Sequence, residues 1–174
     1  MISKLKFILI FFLVSCGSSE SIADGLIEIK TLDAQKKWKY TVPITENSEF
    51  QSDLSYNLRD DPELTSIVDN ITNIEIISVD LMITRFTGSS GSVEVILNRP
   101  SGELSKVFVT NINDSLNSLL NFPIDSTQKN SISDEIVATK AIQLSSTGKI
   151  QNVSPLPSSI SFEIILTYSL TYES

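Results

Sequence analysis

The sequence contains no histidine, and this absence removes several common kinds of catalytic site. Histidine is the side chain best suited to proton transfer near neutral pH, and it is the base of Ser-His-Asp and Cys-His nucleophile pairs. It also supplies the ligands of HExxH zinc sites. An enzyme built on this chain would depend on carboxylates, lysines, hydroxyls and tyrosines. We therefore predict that the protein is not an enzyme and that it uses no cofactor.

Only one cysteine is present, Cys16, so the chain cannot form an internal disulfide. A chain of this length buries a majority of its unfolded surface when it folds, and it needs no disulfide to hold a core. In an exported protein, a lone cysteine ordinarily indicates a free thiol or a bridge to another chain. The residues around Cys16 indicate a different use.

Cys16 follows a leader that has a basic start and a short apolar run. Lys4 and Lys6 precede the run at residues 7–14, and Ser15 stands directly before the cysteine. The run is far too short for a bilayer core, which needs ~20 apolar residues. Its layout is that of a removable secretory signal.

The tetrapeptide Leu13-Val14-Ser15-Cys16 resembles the lipobox of bacterial lipoproteins. The resemblance covers the first 16 residues and implies that lipid is attached to the Cys16 thiol and that the signal peptide is cut between Ser15 and Cys16. Each buried CH₂ contributes roughly 0.8 kcal/mol, so two or three acyl chains anchor a protein durably where one does not. Gly17, in place of aspartate, leaves out the inner-membrane retention signal of such lipoproteins. The outer membrane is therefore favoured, with its periplasmic or surface face left open.

Acidic side chains outnumber basic ones by 21 to 13, which gives a net charge of −8 at pH 7. Removal of residues 1–15 takes away Lys4 and Lys6 and leaves a net charge of −10. Such a charge repels a phosphate backbone, and no stripe of Lys and Arg with interleaved aromatics appears, so we expect no nucleic-acid partner. It also disfavours a polybasic grip on anionic lipids, so membrane attachment depends on the acyl chains.

The chain divides into a leader, a tether and one folded domain. Residues 1–15 are the signal peptide, and residues 16–25 are the lipidated N-terminus with a small, polar and flexible tether. Residues 26–174 form the domain. We find no internal repeat in it.

Alternation of apolar and polar residues predicts that this domain is mainly β. Every even position from 160 to 172 is apolar, which gives a strand with one apolar face. Residues 73–86 are partly apolar on both faces, which predicts a central strand with a bulge. Its two expected faces are Ile77, Val79, Leu81 and Ile83 against Ile74, Ile76, Met82 and Phe86. The glycine-flanked turn at 88–91 predicts a hairpin into a strand at 93–97, and the turn at 99–102 leads into a strand at 104–110, so three consecutive antiparallel strands are expected.

We predict an antiparallel two-sheet β-sandwich of the Ig-like or Greek-key type with one to three short helices. Further strands are expected at 27–29, 38–44 and 142–150, and helices at 61–71, near 113–120 and at 131–141. The stretch from residues 68–72 through Phe86-Thr87-Gly88 resembles lipoproteins of flavobacteria and their relatives. That group implies no activity.

Two sets of residues are candidate binding sites. Trp38 and Tyr40 share one face of a predicted strand and could form an aromatic platform for a ligand, against the alternative that they fill the core with their aliphatic neighbours. Asp60, Asp61 and Glu63 are a weak candidate calcium site, against the alternative that they cap a helix N-terminus.

The lipobox, the alternating strands and the missing catalytic side chains predict a non-enzymatic, lipid-anchored binding, adhesion or assembly module of the cell envelope. Its partners would be the membrane and a protein or glycan ligand. Two alternatives stay open. One is an accessory subunit that docks on an outer-membrane β-barrel through an exposed strand edge. The other is an envelope polysaccharide hydrolase that uses paired carboxylates.

Overall fold

The structure is a computed structural model that describes residues 27–45 and 48–174. The predicted signal peptide, its cleavage point after Ser15, the lipidation site Cys16 and the tether lie outside the described residues. Within those residues, no helix has both the length and the apolar character needed to cross a bilayer.

The described part of the chain consists mainly of antiparallel strands. They are β1 (Ile29–Ile44), β2 (Glu49–Asp53), β3 (Tyr56–Asn57), β4 (Ile71–Phe86), β5 (Ser90–Arg99), β6 (Gly102–Val109), β7 (Leu119–Asn121), β8 (Ala141–Ile142), β9 (Ser145–Ser154) and β10 (Ser158–Glu173). One α-helix, α1 (Ser126–Thr139), lies between β7 and β8, and 3₁₀ turns lie at Leu58–Asp60, Val68–Asn70 and Asn113–Ser115.

Eight of these strands form two facing sheets. One sheet has the order β1-β10-β4-β7 and the other β2-β9-β5-β6, while β3 and β8 pair separately. When the eight strands alone are numbered along the chain, the orders are 1-8-3-6 and 2-7-4-5. This is the arrangement of a jelly roll, which is built from two Greek keys. The predicted two-sheet sandwich is confirmed, and of its two expected types the strand order follows the Greek key.

The core between the sheets is mostly aliphatic. The even positions of β10 point into it, as the alternation predicted. The best-buried members from β10 are Ile160, Phe162, Ile164, Leu166 and Leu170, and β5 and β9 contribute Val93, Val95, Leu97 and Ile150.

Three bulges in β4 bring most of its apolar residues onto one face. The pairing of β4 with β10 passes over Thr72, Ile77 and Thr84, so each of these is an extra residue that shifts the alternation by one position. The predicted bulge is therefore confirmed, but the predicted division of faces is wrong. Ile77 is 45% exposed, and the buried face is Ile74, Ile76, Val79, Leu81 and Ile83.

Helix α1 begins five residues before the expected 131–141 segment. Asp125 is its N-cap: the carboxylate accepts from Gln128 N at 2.8 Å, and the Gln128 side chain accepts from Asp125 N at 3.1 Å. This reciprocal capping box fixes the start of the helix ahead of its first buried residue, Ile132. Apolar spacing alone missed it because the first turn is polar.

The other two expected helices are wrong as α-helices. The chain after Asp61 folds as mixed turns, in which Thr65 N bonds to Asp61 O while Ile67 N bonds to Leu64 O, before the 3₁₀ turn at Val68–Asn70. Leu64 and Val68 still reach the core. The segment near 113–120 forms a single 3₁₀ turn, Asn113–Ser115. The expected strand at 142–150 is divided into β8 and β9.

Helix α1 covers the side of the sandwich where β7 is short. β7 pairs with β4 only at residues 80–82. Beyond that point, Lys129 Nζ donates to Ile77 O at 2.6 Å and Lys140 Nζ donates to Ile71 O at 3.0 Å. Both carbonyls belong to parts of β4 that β7 does not cover, and a lysine bonded there hinders pairing of this edge with another chain.

Candidate ligand-binding cleft

An open cleft of about 370 Å³ lies where the chain leaves the second sheet for the β3–β8 ladder. One wall is formed within residues 53–57, the second within residues 141–145, and the third by Arg99 and Pro100 of the β5–β6 turn. Small-molecule sites in proteins occupy roughly 300–1,000 Å³, so the cleft has the size of a small site.

Alternation along the two long walls aims polar side chains into the cleft. Leu54 and Leu144 are buried, and Leu54 N donates to Leu144 O at 2.9 Å, which fixes the bend against the core. Their neighbours Asp53, Ser55 and Gln143 are exposed on the opposite side. Since successive side chains of an extended chain point to opposite faces, the buried leucines set the direction of the cleft residues.

Asp53 supplies the carboxylate of the cleft. Its Oδ1 accepts from Ser55 Oγ at 2.6 Å and from Ser55 N at 2.8 Å. These hydrogen bonds lower the pKa of Asp53, because they favour the charged form, and the hydroxyl has the larger effect. Within the described residues, the second oxygen, Oδ2, has no hydrogen-bond partner. The carboxylate is therefore held by one oxygen and offers the other to a ligand.

Arg99 joins the cleft to helix α1. Its Nη2 donates to the Glu135 carboxylate, and its Nη1 donates to Ser131 Oγ at 3.1 Å. The Arg99 side chain is 18% exposed, so this ion pair is largely shielded from water. Glu135 neutralises the guanidinium, and the charge of the lining is set by Asp53.

Two amides complete the polar lining. Asn57 Oδ1 accepts from Arg59 N at 2.9 Å, which leaves the Asn57 amide nitrogen as a donor. Gln143 is exposed on the facing wall. Pro100 and Ala141 add apolar surface to the lining.

Tyr56 forms part of the cleft floor and fixes it to β1. The Lys36 ammonium lies 3.7 Å from the centre of the Tyr56 ring, and the Tyr56 hydroxyl donates to Asp61 Oδ2. Burial, together with the bond to Asp61, raises the pKa of Tyr56. The ring therefore stays neutral and serves as a positioned wall rather than as an acid.

The candidate calcium residues lie in the turns next to this floor. Asp61 is already engaged, since it accepts from Tyr56 and, at 2.9 Å, from Glu63 N. The Tyr56 hydroxyl lowers the pKa of Asp61. Across residues 27–45 and 48–174, no three acidic side chains are grouped to hold a metal ion. Asp61 caps a turn, and Asp60 and Glu63 do not converge with it on a common point.

Trp38 and Tyr40 lie on the inward face of β1 and do not line the cleft. Both are partly buried and pack against the core. The Tyr40 hydroxyl is 2.9 Å from Ser146 Oγ, and its ring centre is 5.3 Å from that of Phe162. A ligand platform at these residues stays a prediction, and the neighbours seen here are those expected for core filling.

No motif in the sequence marks the residues of the cleft. The turn at Arg99-Pro100 was predicted, but as a connection only. Asp53-Leu54-Ser55 carries a weak local signal, because an aspartate often accepts from the backbone two residues later. Nothing in the sequence indicates that this turn faces residue 143.

Ionisation of buried tyrosines provides a test of the core. Burial raises the pKa of Tyr40 and of Tyr168 to about 12. Unfolded tyrosine ionises near pH ~10, so above that pH the unfolded chain binds fewer protons than the folded one. The associated stability is complete below pH ~10 and is lost as the pH rises towards 12. We expect the urea midpoint of the wild type to fall more steeply across this window than that of Tyr40→Phe; equal slopes would contradict the burial of Tyr40.

No protein-family model matches the chain. No curated protein matches it in sequence. Solved structures resemble it weakly. A Desmodium yellow mottle tymovirus structure has a TM-score of 0.40 and 10% identity, and the match covers 97% of this chain and 96% of the chain in that structure. A tobacco necrosis virus structure has a TM-score of 0.40 and 10% identity, and the match covers 80% of this chain and 95% of the chain in that structure. A decameric BFDV capsid protein has a TM-score of 0.40 and 11% identity, and the match covers 82% of this chain and 99% of the capsid chain. Likeness at this level carries no inference about function.

Proposed function

We propose that this protein is a non-enzymatic, lipid-anchored binding module of a bacterial cell envelope, with the cleft at Asp53 as its ligand site. The observation that carries the binding role is a carboxylate held at one oxygen and open at the other, on a wall fixed by the buried pair Leu54 and Leu144. Pre-formed clefts with a few oriented polar groups are the usual form of a small-ligand site. The lipobox ending at Cys16 supports the anchor and the outer membrane as its location.

The cleft gives less support to a hydrolase. Hydrolysis of a glycosidic bond by carboxylates uses one group as acid and a second as base or nucleophile. Asp53 is the carboxylate of the lining, and Glu135 is paired with Arg99 behind it. The acid also needs a raised pKa, whereas Ser55 lowers that of Asp53.

Docking through the long edge strand β1 also has less support. β1 pairs with β10 along all of its 16 residues and borders its sheet. Pro43 lacks an N–H on this strand, and Lys30 and Lys36 occupy inward-facing positions. Proline and inward-pointing charge are features that prevent edge pairing. An accessory subunit of a β-barrel would have to use another surface.

The anchor is tested at Cys16. In a bacterial host, we expect the wild type to incorporate labelled palmitate and to begin at Cys16 after processing, because the thiol is the acceptor of the first lipid. Cys16→Ser should incorporate no label, while the control Ser18→Ala should behave as the wild type. Gel fluorography and intact-mass measurement give the result. An unlabelled wild type, or one that begins at another residue, would remove the anchor and the envelope location.

A further inference from the structure

The free hydrogen-bonding groups of the cleft require a ligand that both donates and accepts. Asp53 Oδ2 accepts only, since the carboxylate is ionised. The Asn57 amide nitrogen donates only, because its oxygen is bonded to Arg59 N. The Gln143 amide offers both a donor, its nitrogen, and an acceptor, its oxygen. A hydroxyl is a donor and an acceptor in one group, so a ligand with several adjacent hydroxyls can satisfy all three side chains.

The charge of the cleft disfavours an anionic ligand. Its guanidinium, Arg99, is engaged by Glu135, and Asp53 leaves the lining negative. The rest of the domain carries an excess of acid as well. A phosphate, sulfate or carboxylate entering the cleft would meet this negative potential without a free cation to offset its lost hydration.

The shape of the cleft fits a ring that belongs to a longer chain. The cleft is open rather than enclosed, so a polymer can continue past it. Pro100 and Ala141 add apolar surface to the walls. A sugar ring has hydroxyls around its rim and C–H groups on its faces, which matches a lining that combines polar and apolar side chains.

We infer that the cleft binds a neutral saccharide, with Asp53 Oδ2 accepting from ligand hydroxyls and Asn57 and Gln143 bonding to neighbouring ones. The inference rests on the proposed binding function and names the ligand class of the same site. Ser55 orients Asp53 and is a positioning residue. Its hydroxyl and amide fix the carboxylate before the ligand arrives, so less ordering is required on binding.

The test uses the full chain, purified in detergent, on an array of neutral, acidic and amine-bearing oligosaccharides. We expect binding to neutral members, followed by titration of the best neutral oligosaccharide. Asp53→Asn replaces the accepting Oδ2 by a donor while keeping an oxygen for Ser55. A hydrogen bond to a charged group contributes about 1.5–3 kcal/mol, so the affinity should fall by about 10- to 150-fold. Ser55→Ala should weaken binding less, by loosening the carboxylate.

Glu49→Gln is the matched control. It makes the same charge change at the other end of β2, and Glu49 is exposed and outside the cleft. We expect its affinity to equal that of the wild type, with equal urea midpoints showing that all variants are folded. Binding only to acidic or only to amine-bearing members, no binding to any glycan, or unchanged affinity in Asp53→Asn would each overturn the saccharide inference. The proposed lipid anchor is tested separately, because it fails if the wild type incorporates no labelled palmitate or does not begin at Cys16.

Discussion

Replacing Phe162 by alanine is expected to lower the free energy of unfolding by about 3–5 kcal/mol, the usual cost of truncating a buried phenylalanine. Phe162 is 1% exposed and lies on β10, at the centre of its sheet. Its ring stacks on Phe50 of the facing sheet with 5.1 Å between centres, and it also contacts Tyr40. The substitution would leave a cavity between the sheets that three separate strands would have to close.

Urea denaturation of the variant measures this loss, with Phe108→Ala as the matched control. Phe108 is 59% exposed on β6, so its removal creates no cavity, and the expected change lies within about 0.5 kcal/mol. The comparison isolates burial, since the two substitutions delete the same atoms. Similar losses at both positions would show that Phe162 does not fill the core.

Gly148→Ala is expected to destabilise the sandwich by about 1–3 kcal/mol or more through overpacking. A methyl group at Gly148 would overlap the carbonyl oxygen of Glu94 and the ring of Phe50. That carbonyl belongs to β5, which pairs with β9 at Val95 opposite Gly148, so it cannot move without disturbing the ladder. The ring is confined as well, because it stacks on Phe162.

Thermal unfolding provides the readout for this glycine. A loss of 1 kcal/mol lowers Tm by about 2–4 °C for a protein of this size, so Gly148→Ala should unfold several degrees below the wild type. Gln151→Ala, at an exposed position of the same strand, should change Tm by no more than about 2 °C. If Gly148→Ala is as stable as the wild type, the ring and the strand do not approach each other as described.

The sequence predicted those parts of the fold that depend on neighbouring residues. The apolar face of β10 follows directly from its even positions, and the hairpin of β5 and β6 follows from the turn at 99–102. The hairpin expected at 88–91 is wrong, because this turn carries the chain from β4 in one sheet to β5 in the other. These signals are local because a strand shows its buried face within a few residues, and glycine and proline mark a turn by their own backbone preferences. The lipobox is also contiguous, although it concerns residues that the structure does not describe.

Local signals were insufficient where packing outweighed spacing. Leu64 and Val68 have helical spacing, yet the segment folds as turns. Both side chains are buried in the core all the same, so their burial does not require a helix. Ile77 alternates with Val79, and this spacing predicts that both side chains lie on the same face. The bulge at Ile77 moves it outward, and the need to bury Ile74 and Ile76 together with Val79 explains why β4 accepts an irregular ladder.

The sequence by itself determined the β character of the domain, its main turns and its lack of histidine. Only the tertiary structure decided the jelly-roll order of the strands and the assembly of the cleft. Asp53, Arg99 and Gln143 are brought together from three separate parts of the chain. The physical reason is that an alternating strand specifies which face it buries but not which strand it pairs with. Partners are chosen by the arrangement that covers all the apolar faces together, and the cleft forms where that arrangement bends the chain out of the sheet.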